Sequence, residues 1–141
     1  MSNGLDDLEY IQSGGPSKEE LSKLDGVRVK IAKCEVVEDV GPVYNEKGQL
    51  IEGQEQKVKK IYLETVPFGK ELIERDIVHR EKYNLKDKDG KWVVSLHEKS
   101  KTGQFLAKYN LESFKDVVGT SVVLTKKTNP ETKRSWLAIS I

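Results

Sequence analysis

The chain has 141 residues, enough for one domain with one real core. Hydrophobic residues make up 36% and charged residues 33%, and apolar runs are as short as Val122-Val123-Leu124, which excludes the ~20-residue apolar stretch of a membrane-spanning helix. The formal net charge of +1 hides an asymmetry: residues 1–26 hold six acids against two bases, residues 91–141 nine bases against four acids.

Cys34 is the single cysteine, which excludes an internal disulfide and a cysteine-based metal cluster. With no basic-then-apolar leader at the N-terminus, the expected location is cytoplasmic, an intracellular and reducing compartment.

Residues 1–25 read as a flexible acidic leader, broken by Ser13-Gly14-Gly15-Pro16. Within it, Ser17 and Glu20 have the spacing of a capping box, which predicts a short helix over 18–24. Asp25-Gly26 turns the chain into a first strand, where Val27, Val29 and Ile31 alternate with Arg28 and Lys30. The apolar phase slips near Cys34 and resumes at Val36, as a bulge would cause. Residues 41–56 read as a long polar connection, and 57–66 as the second strand, with Ile61 and Leu63 inward and Lys60, Tyr62 and Glu64 outward.

Residues 77–85 and 91–96 read as strands, the second preceded by the hairpin signal Asp87-Lys88-Asp89-Gly90. Trp92 alternates with Val94 and Leu96 and is expected in the core. Past Ser100 the period becomes helical through Phe105, Leu106 and Tyr109, ending at Asn110. Ser113 opens a second helical turn closed by Gly119. Strand pattern returns at 122–124, turns at Asn129-Pro130, and runs through Leu137, Ile139 and Ile141.

The order of elements, and the run Gly90-Lys91-Trp92, Ser100-Lys101, Phe114-Lys115-Asp116-Val117-Val118-Gly119 and Val122, resembles oligonucleotide/oligosaccharide-binding (OB-fold) proteins, in particular small single-stranded DNA-binding proteins of phage and archaeal type. The expected fold is therefore all-β: an OB-like Greek-key barrel over residues 26–141, with one helix between its third and fourth strands. The resemblance implies ligand contacts on the second and third strands and on the loops joining strands 1–2 and 4–5.

Catalysis is poorly provided for. His79 and His97 stand in separate segments with no metal-binding spacing, Cys34 lies among valines, and no phosphate-cradling glycine loop occurs. The expectation is a binding protein, not an enzyme, with no metal and no cofactor. If Leu137, Ile139 and Ile141 face the core, Trp136 faces outward, as Tyr62 does opposite Ile61 and Leu63. Exposed aromatics stack bases and neighbouring cations neutralise phosphates. The expected nucleic-acid-binding residues are Tyr44, Lys47, Lys60, Tyr62, Lys126, Lys127, Lys133, Arg134 and Trp136. The expected partner is single-stranded DNA or RNA, DNA ahead of RNA, with proteins of a replication or repair assembly beside it and no membrane. The alternative is a protein-interaction adaptor on the same barrel, with Trp136 and Tyr62 as ordinary packing and the hairpin lysines guarding a sheet edge.

Overall fold

The computed structural model describes residues 16–141. In chain order the elements are α1 (Lys18–Leu24), β1 (Arg28–Tyr44), β2 (Leu50–Thr65), α2 (Lys70–Ile73), β3 (Arg80–Asn84), β4 (Lys86–Lys88), β5 (Lys91–Val93), α3 (Lys101–Lys108), a 3-10 turn (Phe114–Asp116), β6 (Ser121–Thr128) and β7 (Ser135–Ile139). The structure is predominantly β. Its main sheet is antiparallel, in the order β3-β2-β1-β6-β7, and β4-β5 form a separate small hairpin. Among the described residues no helix is long and apolar enough to cross a membrane.

β1 holds the sheet together by serving two partners. Its first residues, Arg28 to Lys30, pair with Val123 to Ser121 of β6, while Ile31 onward pairs with β2. The exchange falls at a register shift between Ile31 and Lys33, the bulge that the broken apolar phase predicts. Inward residues Val29, Ile31, Ile61, Leu63, Val122, Leu124, Leu137 and Ile139 form the core with Phe105 at its centre. Phe105 stacks on Phe114 at 5.5 Å and meets Tyr83 and Tyr109 in tilted contacts. Helix α3 packs directly on the segment before it because Gly103 has no side chain: a Cβ there would strike the His97 carbonyl and the Leu96 backbone.

Two expectations change. The polar connection expected over 41–56 is strand on both sides of a short turn: β1 runs to Tyr44 and β2 begins at Leu50. Gly41, Pro42 and Gly53 read as punctuation in the sequence, but Val40, Val43 and Tyr44 and then Leu50 and Ile51 are good strand formers. Asn45 makes the turn, its side-chain oxygen accepting from the backbone N–H of Lys47 and Gln49. The result is a long two-stranded arm beyond the reach of β3 and β6.

Second, the packed unit begins before residue 26. Helix α1 carries the expected capping box between Ser17 and Glu20, and Leu21 and Leu24 are buried in the core. Arg75 is bonded to Glu20, tying α1 to the segment after α2. The rest of the expected leader, residues 1–15, lies outside the described residues.

Candidate functional site

The outer strands β3 and β7 approach one another without a backbone ladder, and Glu81 bridges the seam. Its carboxylate accepts from the Ile139 backbone N–H of β7 and from the Tyr83 hydroxyl at 2.7 Å, and lies 2.8 Å from His79 Nε2. Tyr83 is only 3% exposed. Burial, reinforced by the Glu81 charge and hydrogen bond, pushes its phenol far above the ordinary range. The network satisfies its members internally and so serves as a structural tie.

Over this seam lies a cleft of about 380 Å³, lined by Arg80, Lys82, Lys101, Lys127 and Trp136 among others. Strand alternation places Trp136 there as expected: Leu137 and Ile139 are buried, and Trp136 is 45% exposed. Lys127 stands opposite it in the β6–β7 register. Neither Lys127 nor Lys101 makes a side-chain hydrogen bond or ion pair with another described residue. Lys101, part of the Ser100-Lys101 step in the sequence, is not among the expected binding residues, because it sits on a helix distant in sequence from Trp136.

Lys126 goes elsewhere. It pairs with buried Leu137, its Nζ donates to Ser22 Oγ at 2.8 Å, and its backbone N–H donates to Asp25. Period-2 alternation separates it from Lys127 and turns it toward α1. Lys133 and Arg134 are exposed at the β6–β7 turn, where Lys133 has φ +61°.

The outer face of β2 and β3 is a different environment. Tyr62 lies between Glu35 and Lys82 in register, half-buried, and its hydroxyl donates to Glu64 at 2.6 Å. Lys33 Nζ lies 5.9 Å from its ring centroid. The cations of this face are paired: Lys60 and Lys82 both reach Asp39, Arg80 reaches Glu64, and Lys33 reaches Glu35. The Val40 backbone N–H, then Lys82 and Lys60, hold Asp39 below its usual range. The Tyr62 hydroxyl, then Arg80, do the same for Glu64. Such pairs leave little net charge for a phosphate.

Tyr44 and Lys47 lie at the end of the arm, Tyr44 58% exposed and Lys47 in the turn. Below Tyr44 a groove of about 510 Å³ separates the arm from the β4–β5 hairpin. Trp92 of that hairpin lines it and is half-buried outside the main core, contrary to the expectation of a core tryptophan. The strand containing Trp92 stops at Val93 and belongs to the small hairpin, so its alternation does not refer to the main core. The chain matches no protein-family model, no curated protein and no solved structure.

Proposed function

We propose that this chain binds single-stranded nucleic acid, DNA ahead of RNA, by aromatic stacking and phosphate neutralisation with little sequence preference. The observation that carries the reading is Trp136: a large aromatic surface held half in solvent, with the unpaired ammonium groups of Lys127 and Lys101 in the same cleft. Stacking on an exposed ring is worth roughly 1–3 kcal/mol per base, and every base has a face to offer. The architecture we infer is an OB-like Greek-key barrel that the Glu81 bridge brings toward closure. Supporting it are the β1-β2-β3-α3-β6-β7 sequence of elements and the sharing of β1 between β2 and β6.

The test is titration of the intrinsic tryptophan fluorescence with oligothymidylate at two salt concentrations. Trp136→Ala is expected to weaken binding by about 1–3 kcal/mol with an unchanged melting curve. Replacing Lys101 and Lys127 with glutamine is expected to flatten the salt dependence by about 0.7 per lost contact. Wild-type protein that binds no oligonucleotide would defeat the proposal.

A protein-adaptor reading draws on one observation, the exposure of Val40, Tyr44 and Leu50 along the arm. Salt-insensitive capture of a protein, with no oligonucleotide binding, would favour it.

A further inference from the structure

The cations near β3 differ in what they are bonded to. Those across the middle of the β2–β3 face are neutralised by Asp39, Glu64 and Glu35. Beside β3 and at its C-terminal end lie cations without such partners: Lys101 and Lys127 in the Trp136 cleft, and Lys59 and Lys86 in the groove below the arm. Each unpaired set is accompanied by aromatic rings, Trp136 in the first case and Tyr44 and Trp92 in the second. Asp87 is the one acid lining the second groove, and its carboxylate accepts from the Gly90 backbone N–H in the hairpin turn.

The two sites are joined by β3. The cleft takes residues 79–83, the groove begins at Asn84 and continues through Leu85 to Lys86. The two therefore adjoin along the strand, the cleft beside β3 and the groove at its C-terminal end. The groove itself is held open by backbone: Leu85 N–H donates to the Lys59 carbonyl, fixing the hairpin to β2. Gly41 lets the arm lie flat, since a Cβ there would meet the Val58 side chain at 3.0 Å.

We infer that the groove between the β1–β2 arm and the β4–β5 hairpin is a second nucleic-acid subsite, in which Tyr44 and Trp92 stack bases and Lys59 and Lys86 neutralise phosphates. It rests on the function proposed above and extends it: one strand runs along β3 from the Trp136 cleft into the adjoining groove. The β4–β5 hairpin supplies a wall that the five-stranded sheet lacks.

The experiment compares an oligothymidylate of about 12 nucleotides, within the roughly 4–16 covered by one such domain, with one of about 4. Full-length protein and four variants are titrated: Trp92→Ala, Tyr44→Ala, Trp136→Ala and the double change Lys59→Gln with Lys86→Gln. Trp92→Ala and Tyr44→Ala are each expected to weaken the longer oligonucleotide at least about fivefold and to leave the shorter one, seated at Trp136, within about twofold. The double lysine variant is expected to lower the salt slope by about 1.4 for the longer oligonucleotide only. Because Lys86 is exposed and Lys59 only half-buried, that variant tests the subsite even if Trp92→Ala fails to fold. Full binding of the longer strand by Tyr44→Ala and the lysine variant, with loss in Trp136→Ala, overturns the second subsite and leaves the proposed function intact. Absence of any oligonucleotide binding by wild type overturns both, and binding of an acidic peptide in the groove instead assigns it to a protein partner.

Discussion

Replacing Glu81 with leucine removes the acceptor for three donors at once and leaves the Tyr83 hydroxyl, 3% exposed, without the partner shown for it. An orphaned buried donor costs about 1–3 kcal/mol, and a hydrogen bond to a charged group contributes about 1.5–3 kcal/mol. The Ile139 N–H loses its acceptor as well, while the leucine recovers some apolar burial. Together these give an expected loss of about 3–5 kcal/mol from a total that for most domains is about 5–15 kcal/mol. Urea denaturation followed by tryptophan fluorescence measures it as a lower midpoint at unchanged slope. The double variant Glu81→Leu with Tyr83→Phe removes the orphan too and is expected to recover about 1–2 kcal/mol, a coupling that the double-mutant cycle isolates. A single variant within about 0.5 kcal/mol of wild type, or a cycle with no coupling, would refute the bridge as the tie between β3 and β7.

Leu24→Ala, at a fully buried position of α1, is expected to cost about 2–5 kcal/mol in the same assay, because the helix is part of the core. Gly119 has φ +89° with open space around it, so Gly119→Ala is expected to lower stability by about 1–2 kcal/mol through backbone strain alone, visible in a thermal melt. Hydrogen bonds from Arg75, then Ser17, bring the Glu20 carboxyl from 4.5 down to about 2. A carboxylate held low stabilises the fold above its unfolded value and loses that contribution as pH falls from about 4.5 towards 2; Arg75→Gln is expected to flatten this part of the stability–pH curve. Tyr83 is shifted the opposite way, so its contribution is complete at neutral pH and declines as pH rises past its unfolded value near 10, which Tyr83→Phe is expected to abolish.

Local pattern was enough wherever one residue's neighbours decide its environment. Ser17 and Glu20 announced α1, Ser100 announced α3, and the alternation of Leu137 and Ile139 placed Trp136 outward. It failed where partners lie far off in sequence. Lys126 and Lys127 are indistinguishable as neighbours, yet one reaches Ser22 and the other faces Trp136. Trp92 alternates like a core residue, but its strand pairs only with β4, and the surface it turns to is set by an arm some fifty residues earlier. The arm itself was hidden because glycine and proline are admissible in a ribbon whose edges carry no third strand. The neutralised middle of the β2–β3 face was equally invisible, since Asp39 meets Lys60 and Lys82 only once three strands are in register.

In the arm beyond Asp39 and Val58 each strand has only the other for a neighbour, whereas Lys60–Glu64 of β2 lie between β1 and β3, and the arm has few buried apolar groups. Its backbone hydrogen bonds therefore open at a much smaller free energy than those of Ile31 or Leu63, and its amides exchange with solvent long before the core does. That looseness sets the cost of using it. Any ligand that needs Tyr44 held over Trp92 must give up part of its binding free energy to still the ribbon, so affinity there rises with whatever stiffens the turn. A proline at Glu46, which spares the turn hydrogen bonds donated by Asn45, Lys47 and Gly48, thus becomes a way to strengthen binding without touching Tyr44 or Trp92, and amide exchange across 40–57 reads the same quantity from the protein alone.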